Sequence, residues 1–315
     1  MFNSQVPAAR PQSPEAPSAA QNSVEPGAAD VDVDDELYDL ALSGDRNALG
    51  SRLDSLIRQA RSREISSDQL FLQLMQKERY GRTALHTCFR PDRLEPLNAL
   101  LGHIETAAQE GLLQSGQLGA LLLSQNIQEH NALHVFAGSP GPDAENLRCL
   151  CDCVLRLLQR KLLPPTNAAY VLLQPGAYQL PMVSGGGTDT GQPEALRVLF
   201  DFASGLVKEG AVQASEVLSS ISGYSVAVMF EHASVHRIGA FIKGIDGLIA
   251  ADPHARNFVL RDLVMAGMEK VMAGARDTAQ EQSDKDEAEA VKKLIADAKE
   301  RWFMKDSHQG SSPTD

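Results

Sequence analysis

No run of 18 or more apolar residues occurs in the chain, and that length is what a helix needs to cross a bilayer. The opening residues have no basic start followed by an apolar core, so an ordinary cleaved secretory leader is not expected. Lys and Arg, 29 in all, are outnumbered by 41 Asp and Glu, for a net charge of −12. No basic patch or Lys/Arg stretch interleaved with aromatics breaks that excess, so nucleic acid is not an expected partner.

Cysteine is scarce, with Cys88, Cys149, Cys151 and Cys153 only, which fits a reducing compartment. The last three fall at i, i+2 and i+4 of one predicted helix, where they cannot pair as disulfides, and free thiols are expected. Catalytic signatures are missing too: there is no Gly-x-Ser-x-Gly elbow and no kinase set. The glycine-rich run at Gly185–Gly191 lacks the Lys-Ser/Thr of a phosphate loop and a strand before it, and it reads as an inter-helix loop. No cofactor and no metal is expected.

The charge is unevenly spread. Residues 1–36 carry one Arg and seven acids, and residues 268–315 carry eight bases and eleven acids, which leaves −3 for the middle. Residues 1–33 are rich in Ala, Pro, Ser and Gln, and such a segment cannot bury enough surface to offset its ordering entropy. The expected organisation is a disordered arm over 1–35, a helical body over 36–267, C-terminal capping helices over 268–305 and a loose tail over 306–315. The capping helix rests on the stripe Ala288, Val291, Leu294, Ile295, Ala298, Trp302 and Phe303.

The body carries an internal period. Tyr80-Gly81-Arg82-Thr83-Ala84-Leu85-His86 returns in fainter form as Asn131-Ala132-Leu133-His134. Counting on from His134 by a similar interval reaches Met182 and then Val228, and counting back from His86 reaches Tyr38. Five units result, at roughly 37–79, 80–128, 129–177, 178–222 and 223–267. Within them, Leu94, Leu97, Leu101 and Ile104, then Leu147, Leu150, Val154, Leu157 and Leu158, then Leu196, Leu199, Ala203, Leu206 and Val207 fall at helical spacing. Asp92, Asp143 and Pro193 signal the starts of these helices. A further helix per unit is predicted from Ser67–Leu74, Ser115–Leu123 and Thr166–Leu173, each a capping residue followed by an apolar run. Ser215–Leu218 and Asp252–Ala255 stand in the equivalent places.

A Thr-Ala-Leu-His turn opening a short helix resembles the start of an ankyrin repeat. An ankyrin unit is about 33 residues, so the third helix accommodates the excess. The resemblance implies an all-α solenoid of about five ankyrin-like units of about 48 residues each. It further implies a protein-binding surface on the inter-unit turns, and structural roles for His86 and His134. On that basis the candidate partner-binding residues are Arg79, Tyr80, Arg82, His130, Tyr178 and Tyr224, types that anchor interfaces. A zinc site from the three clustered cysteines with His134 is disfavoured, because residues two apart on a helix diverge. His232 and His236 lack the zincin order and a third ligand.

A Ser/Pro/Ala/Gln-rich, unprocessed arm ahead of such a body resembles the layout of bacterial type III secreted effectors. That implies delivery into a host cell by a route independent of a signal peptide, a host protein as partner, and a secretion chaperone on the arm. The alternatives are a cytoplasmic scaffold or regulator and, further off, a transferase embedded in the array that uses His232, His236 or the cysteines.

Overall fold

The computed structural model describes residues 36–88, 93–137, 144–174, 193–221, 235–255 and 282–303. Among these, every regular element is a helix, and no strand is present. The described helices all belong to one compact unit, Asp35–Asp315. The openings around Met182 and Val228, the start signals Asp92 and Asp143, His232 and the Gly185–Gly191 run lie outside the described residues.

The helices come in rounds of short, long and short. The first is α1 (Glu36–Ser43), α2 (Arg46–Ser62) and α3 (Ser67–Leu74), and the second is α4 (Ala84–Thr87), α5 (Leu94–Gln109) and α6 (Ser115–Leu122). The third is α7 (Ala132–Ala137), α8 (Glu145–Gln159) and α9 (Pro165–Leu173). A long and a short helix follow, α10 (Pro193–Lys208) and α11 (Ala214–Ser220), then a long helix, α12 (Val235–Ala251), and α13 (Gln282–Phe303). Short helices of like position pack on one another: α1 on α4 and α4 on α7, α3 on α6 and α6 on α9. The long helices pack α2 on α5, α5 on α8, α8 on α10 and α10 on α12.

A helix leaves its last carbonyls without intrahelical donors, and α2, α5, α8 and α10 satisfy them in one way. Arg63, Gly111, Lys161 and Gly210 all take the left-handed conformation, with φ of 63°, 69°, 60° and 69°. They recur at nearly even intervals along the chain, from 63 to 111 to 161 to 210. At each corner the next amide bonds back to the helix: Glu64 to Gln59 O at 2.9 Å, Leu112 to Ala107 O at 2.8 Å, Leu162 to Leu157 O at 2.9 Å and Ala211 to Leu206 O at 2.9 Å. This is the Schellman closure. One residue on, Leu113, Leu163 and Val212 are buried, and Ile65 is half-buried.

The following residue then starts the short third helix. Ser66 Oγ accepts from Gln69 N while Gln69 Oε1 accepts from Ser66 N, a reciprocal capping box. Gln114 with Gln117 and Gln213 with Glu216 form the same pair. In the third round Pro164 and Pro165 open the helix instead, Pro165 supplying a preset φ and needing no donor partner there.

The predicted stripes are the core. Leu97, Leu101, Ile104, Leu147, Leu150, Val154, Leu157, Leu158, Leu196, Leu199, Ala203 and Leu206 are all buried. Leu94, at the first turn, and Val207 are only partly covered. Where α10 meets α12 the approach is close, and a Cβ on Gly244 would lie 2.1 Å from the Phe200 ring. Val291, Ile295, Ala298 and Trp302 of α13 are buried, and α13 packs on α12. Trp302 Nε1 donates to Asp246 Oδ1 at 2.6 Å, and Arg301 pairs with the other oxygen at 2.9 Å.

Side-chain pairs bridge successive long helices: Arg46 with Glu95, His103 hydrogen-bonded to Asp54 at 2.9 Å, and Arg61 with Glu110 through two bonds of 2.5 and 2.6 Å. Exposed pairs of this kind contribute little each. Glu105 differs, because it is 9% exposed and holds both Arg156 at 3.1 Å and Arg160 at 2.8 Å.

Leu150, 1% exposed on α8, is the natural probe of this core. Leu150→Ala should cost about 2–5 kcal/mol in urea unfolding followed by circular dichroism. A loss below about 1 kcal/mol would mean that α8 is not packed on both sides.

Candidate partner-binding surface

The turn ahead of α4 closes on itself. Glu78 N donates to Arg82 O at 3.0 Å, and Gly81 N donates to Glu78 O at 2.8 Å. Gly81 has φ of 72°, and a Cβ there would lie 3.2 Å from the backbone nitrogen of Ile127, so glycine fits both the dihedral and the space. One round on, Asn126 N donates to His130 O at 3.0 Å and Glu129 N to Asn126 O at 3.0 Å, with Glu129 at φ of 58°. Side chains complete the match, since Glu78 Oε1 accepts from Arg82 N and Asn126 Oδ1 accepts from His130 N. The two turns are joined by Ile127 N donating to Tyr80 O at 3.0 Å and by Lys77 Nζ donating to Gln125 O at 2.9 Å.

Beneath the turns the two histidines are buried. Thr83 N donates to His86 Nδ1 at 3.2 Å and the Thr83 hydroxyl lies 2.9 Å from the same nitrogen. Because Nδ1 accepts a backbone N–H, the ring proton sits on Nε2, which donates to His130 O at 3.2 Å. His86 is therefore neutral, and burial, the largest influence, pushes its pKa down to about 4. Asn131 replaces Thr at the next unit, and its Oδ1 meets His134 Nδ1 at 2.7 Å and accepts from His134 N at 3.1 Å. Its amide reaches Val171 O at 3.1 Å, tying this turn to α9.

The surface of the first turn is formed by side chains. Tyr80 is 42% exposed and Ile127 is 68% exposed. The Arg79 guanidinium lies 4.6 Å from the centre of the Tyr80 ring and that of Arg82 lies 5.7 Å away, within cation–π range. Arg82 also stands beside the Tyr38 phenol, whose pKa is raised, first by burial and then by Glu78, and is drawn back by Arg82. Arg79, Tyr80 and Arg82 thus converge on one spot. His130 is on the adjoining turn but is turned inward, its ring stacked on His134 at 5.4 Å and 1°. Tyr178 and Tyr224 lie outside the described residues. Ile127 and Lys77 belong to this face and were not singled out from the sequence. Ile127 had a visible signal, as a lone β-branched apolar residue within Gln125–His130.

No family model matches this chain, nor does any curated protein or solved structure. The site must be read from its own chemistry. Burial pushes the thiols of Cys88 and Cys153 up to about 12 and that of Cys151 well above its ordinary value, so they are thiols rather than thiolates at neutral pH. Among the described residues no group of three or more His, Cys, Asp or Glu is arranged to hold a metal, and no helix is long and apolar enough to cross a membrane. A groove of about 560 Å³ runs between α2 and α5, but Arg46, Arg61, Asp54 and His103 along it are committed to the inter-helix pairs described above.

Protonation of His86 would displace the Thr83 N–H, which sets the acid response. Its pKa is near 6.5 when unfolded and about 4 when folded, so its contribution is complete above pH 6.5 and is lost as pH falls towards 4. The loss should reach about 3 kcal/mol at the acid end. Urea titrations between pH 7 and 4 should show a steeper decline for the wild type than for His86→Gln. Parallel declines would show that His86 titrates normally.

Proposed function

We propose that residues 36–267 are a stack of about five ankyrin-like units, each about 48 residues long, and that the stack binds another protein through its turn face. Support comes from the recurrence of the same helix corner at 63, 111, 161 and 210 and of the same turn at 78–82 and 126–130. The observation that carries the binding reading is the exposed Tyr80 and Ile127 pair, flanked by Arg79 and Arg82, on turns whose own backbone bonds are already made. Aromatic and arginine side chains held on a rigid frame are what interface anchors are built from. The helices behind them are occupied in packing.

Within this proposal, residues 268–305 cap the stack, 306–315 are a tail, and residues 1–35 are an export segment that a secretion chaperone would hold. The protein would then be a secreted effector acting on a host protein. A reporter fused to residues 1–35 separates this from the cytoplasmic scaffold, because an effector's arm should direct the reporter out of a type III-competent bacterium and a scaffold's should not.

The turn face is tested with a photo-crosslinking amino acid placed at Tyr80, at Ile127 or, as a control, at the exposed Arg58 on α2. Discrete adducts should form from positions 80 and 127 and not from 58. Towards the protein so captured, Tyr80→Ala and Arg82→Ala should each lose at least about 1 kcal/mol of binding while the unfolding midpoint is kept. Adducts from position 58 alone, or a stability loss that accounts for the weaker binding, would remove the turn face as the binding site.

A further inference from the structure

Several cations on this acidic chain are spent internally. Arg46, Arg61, Arg148, Arg156, Arg160 and Arg301 each pair with a Glu or Asp of another helix. Arg79 and Arg82 do not: among the described residues no carboxylate lies within ion-pair distance of either guanidinium, and both lie against the Tyr80 ring, Arg82 also meeting the Tyr38 phenol. The nearest acid in the sequence, Glu78, has one carboxylate oxygen committed to the Arg82 backbone N–H. Lys77 adds a third cation to the same turn, its ammonium held on Gln125 O. Beside this positive edge stands Ile127, 68% exposed and fixed through its backbone to Tyr80.

We infer that the partner presents an acidic, extended peptide segment to this turn, with carboxylates on Arg79 and Arg82 and an apolar side chain across Tyr80 and Ile127. The inference rests on the turn face being the docking surface. Guanidinium forks match carboxylates in bidentate geometry, and stacking on Tyr80 holds both forks in place, so little side-chain freedom is lost on binding. Two forks over a single aromatic ring, with one ammonium on the same turn, give a compact site for one or two acidic residues. The exposed isoleucine beside them selects a chain that also carries an apolar group. A run of acids alone would leave that isoleucine uncovered.

The experiment is selection of a random dodecapeptide phage library on the full-length protein, with counter-selection on Tyr80→Ala. Peptides that need Tyr80 should be enriched in Asp and Glu with an adjacent Leu, Ile or Phe. The best of them, synthesised with a fluorescent label, should bind roughly tenfold or more weakly to the Arg79→Gln/Arg82→Gln variant, and should weaken as NaCl rises from about 0.05 to about 0.5 M. The unfolding midpoint of each variant is measured alongside. Tyr80-dependent peptides that are neutral or basic, or that ignore the double substitution, would overturn the acidic-segment inference and leave the turn face standing. Failure to recover any Tyr80-dependent peptide would overturn both.

Discussion

The rest of the structure depends on how α2, α5, α8 and α10 stop. Their terminal carbonyls have no donor within the helix, and the left-handed residue at positions 63, 111, 161 and 210 brings two amides back onto them. The same corner points the following apolar residue inward and delivers the next residue as the cap of the third helix. Because four corners share one geometry, α3, α6, α9 and α11 leave their long helices in the same way. The nearly constant interval between corners is then the length of chain that each round of helices must fill.

Stacking energy comes from apolar area rather than from the charged pairs that decorate it. Leu97, Leu133, Val154, Leu157 and Ala203 are essentially inaccessible to solvent, and each such side chain removes apolar surface that no single exposed ion pair can match. The pairs serve register instead. Arg61 with Glu110 and Arg148 with Glu194 favour one sliding position of neighbouring helices, and Glu105, gripping two arginines in a protected place, does so most strongly.

Much of this was legible in the residues. The long-helix stripes and the starts near Ser67, Ser115 and Ser215 follow from periodicity and capping chemistry, and the local bonding of Thr83 with His86 was implied by the ankyrin-like resemblance of the Leu-His pairs. The corner was harder to see. Gly111 and Gly210 announce a left-handed residue, but Arg63 and Lys161 occupy the same conformation without glycine, and the shared signal is only the apolar residue and cap that follow. The site was legible in part. Arg79, Tyr80 and Arg82 are neighbours in sequence and stay neighbours in space. His130 was indistinguishable from them as a turn residue, yet its ring is drawn onto His134, 5.4 Å away, and Arg82 is shared with Tyr38 from the preceding round. A contact such as that between Arg82 and Tyr38 joins residues about one round apart, and no local pattern encodes it.

The central claim is that one left-handed corner ends α2, α5, α8 and α10, and opposite substitutions at equivalent corners test it. A Cβ at Gly111 or Gly210 would meet no other atom within 4 Å, so only the backbone conformation is at stake there. Gly111→Ala and Gly210→Ala should destabilise the protein by about 1 kcal/mol, whereas Lys161→Gly and Arg63→Gly should stabilise it by a few tenths to about 1 kcal/mol. Denaturant midpoints of the four variants therefore split by sign. If Lys161→Gly instead lowers the midpoint, as glycine does inside an ordinary helix, the third corner is not left-handed and the common corner is contradicted.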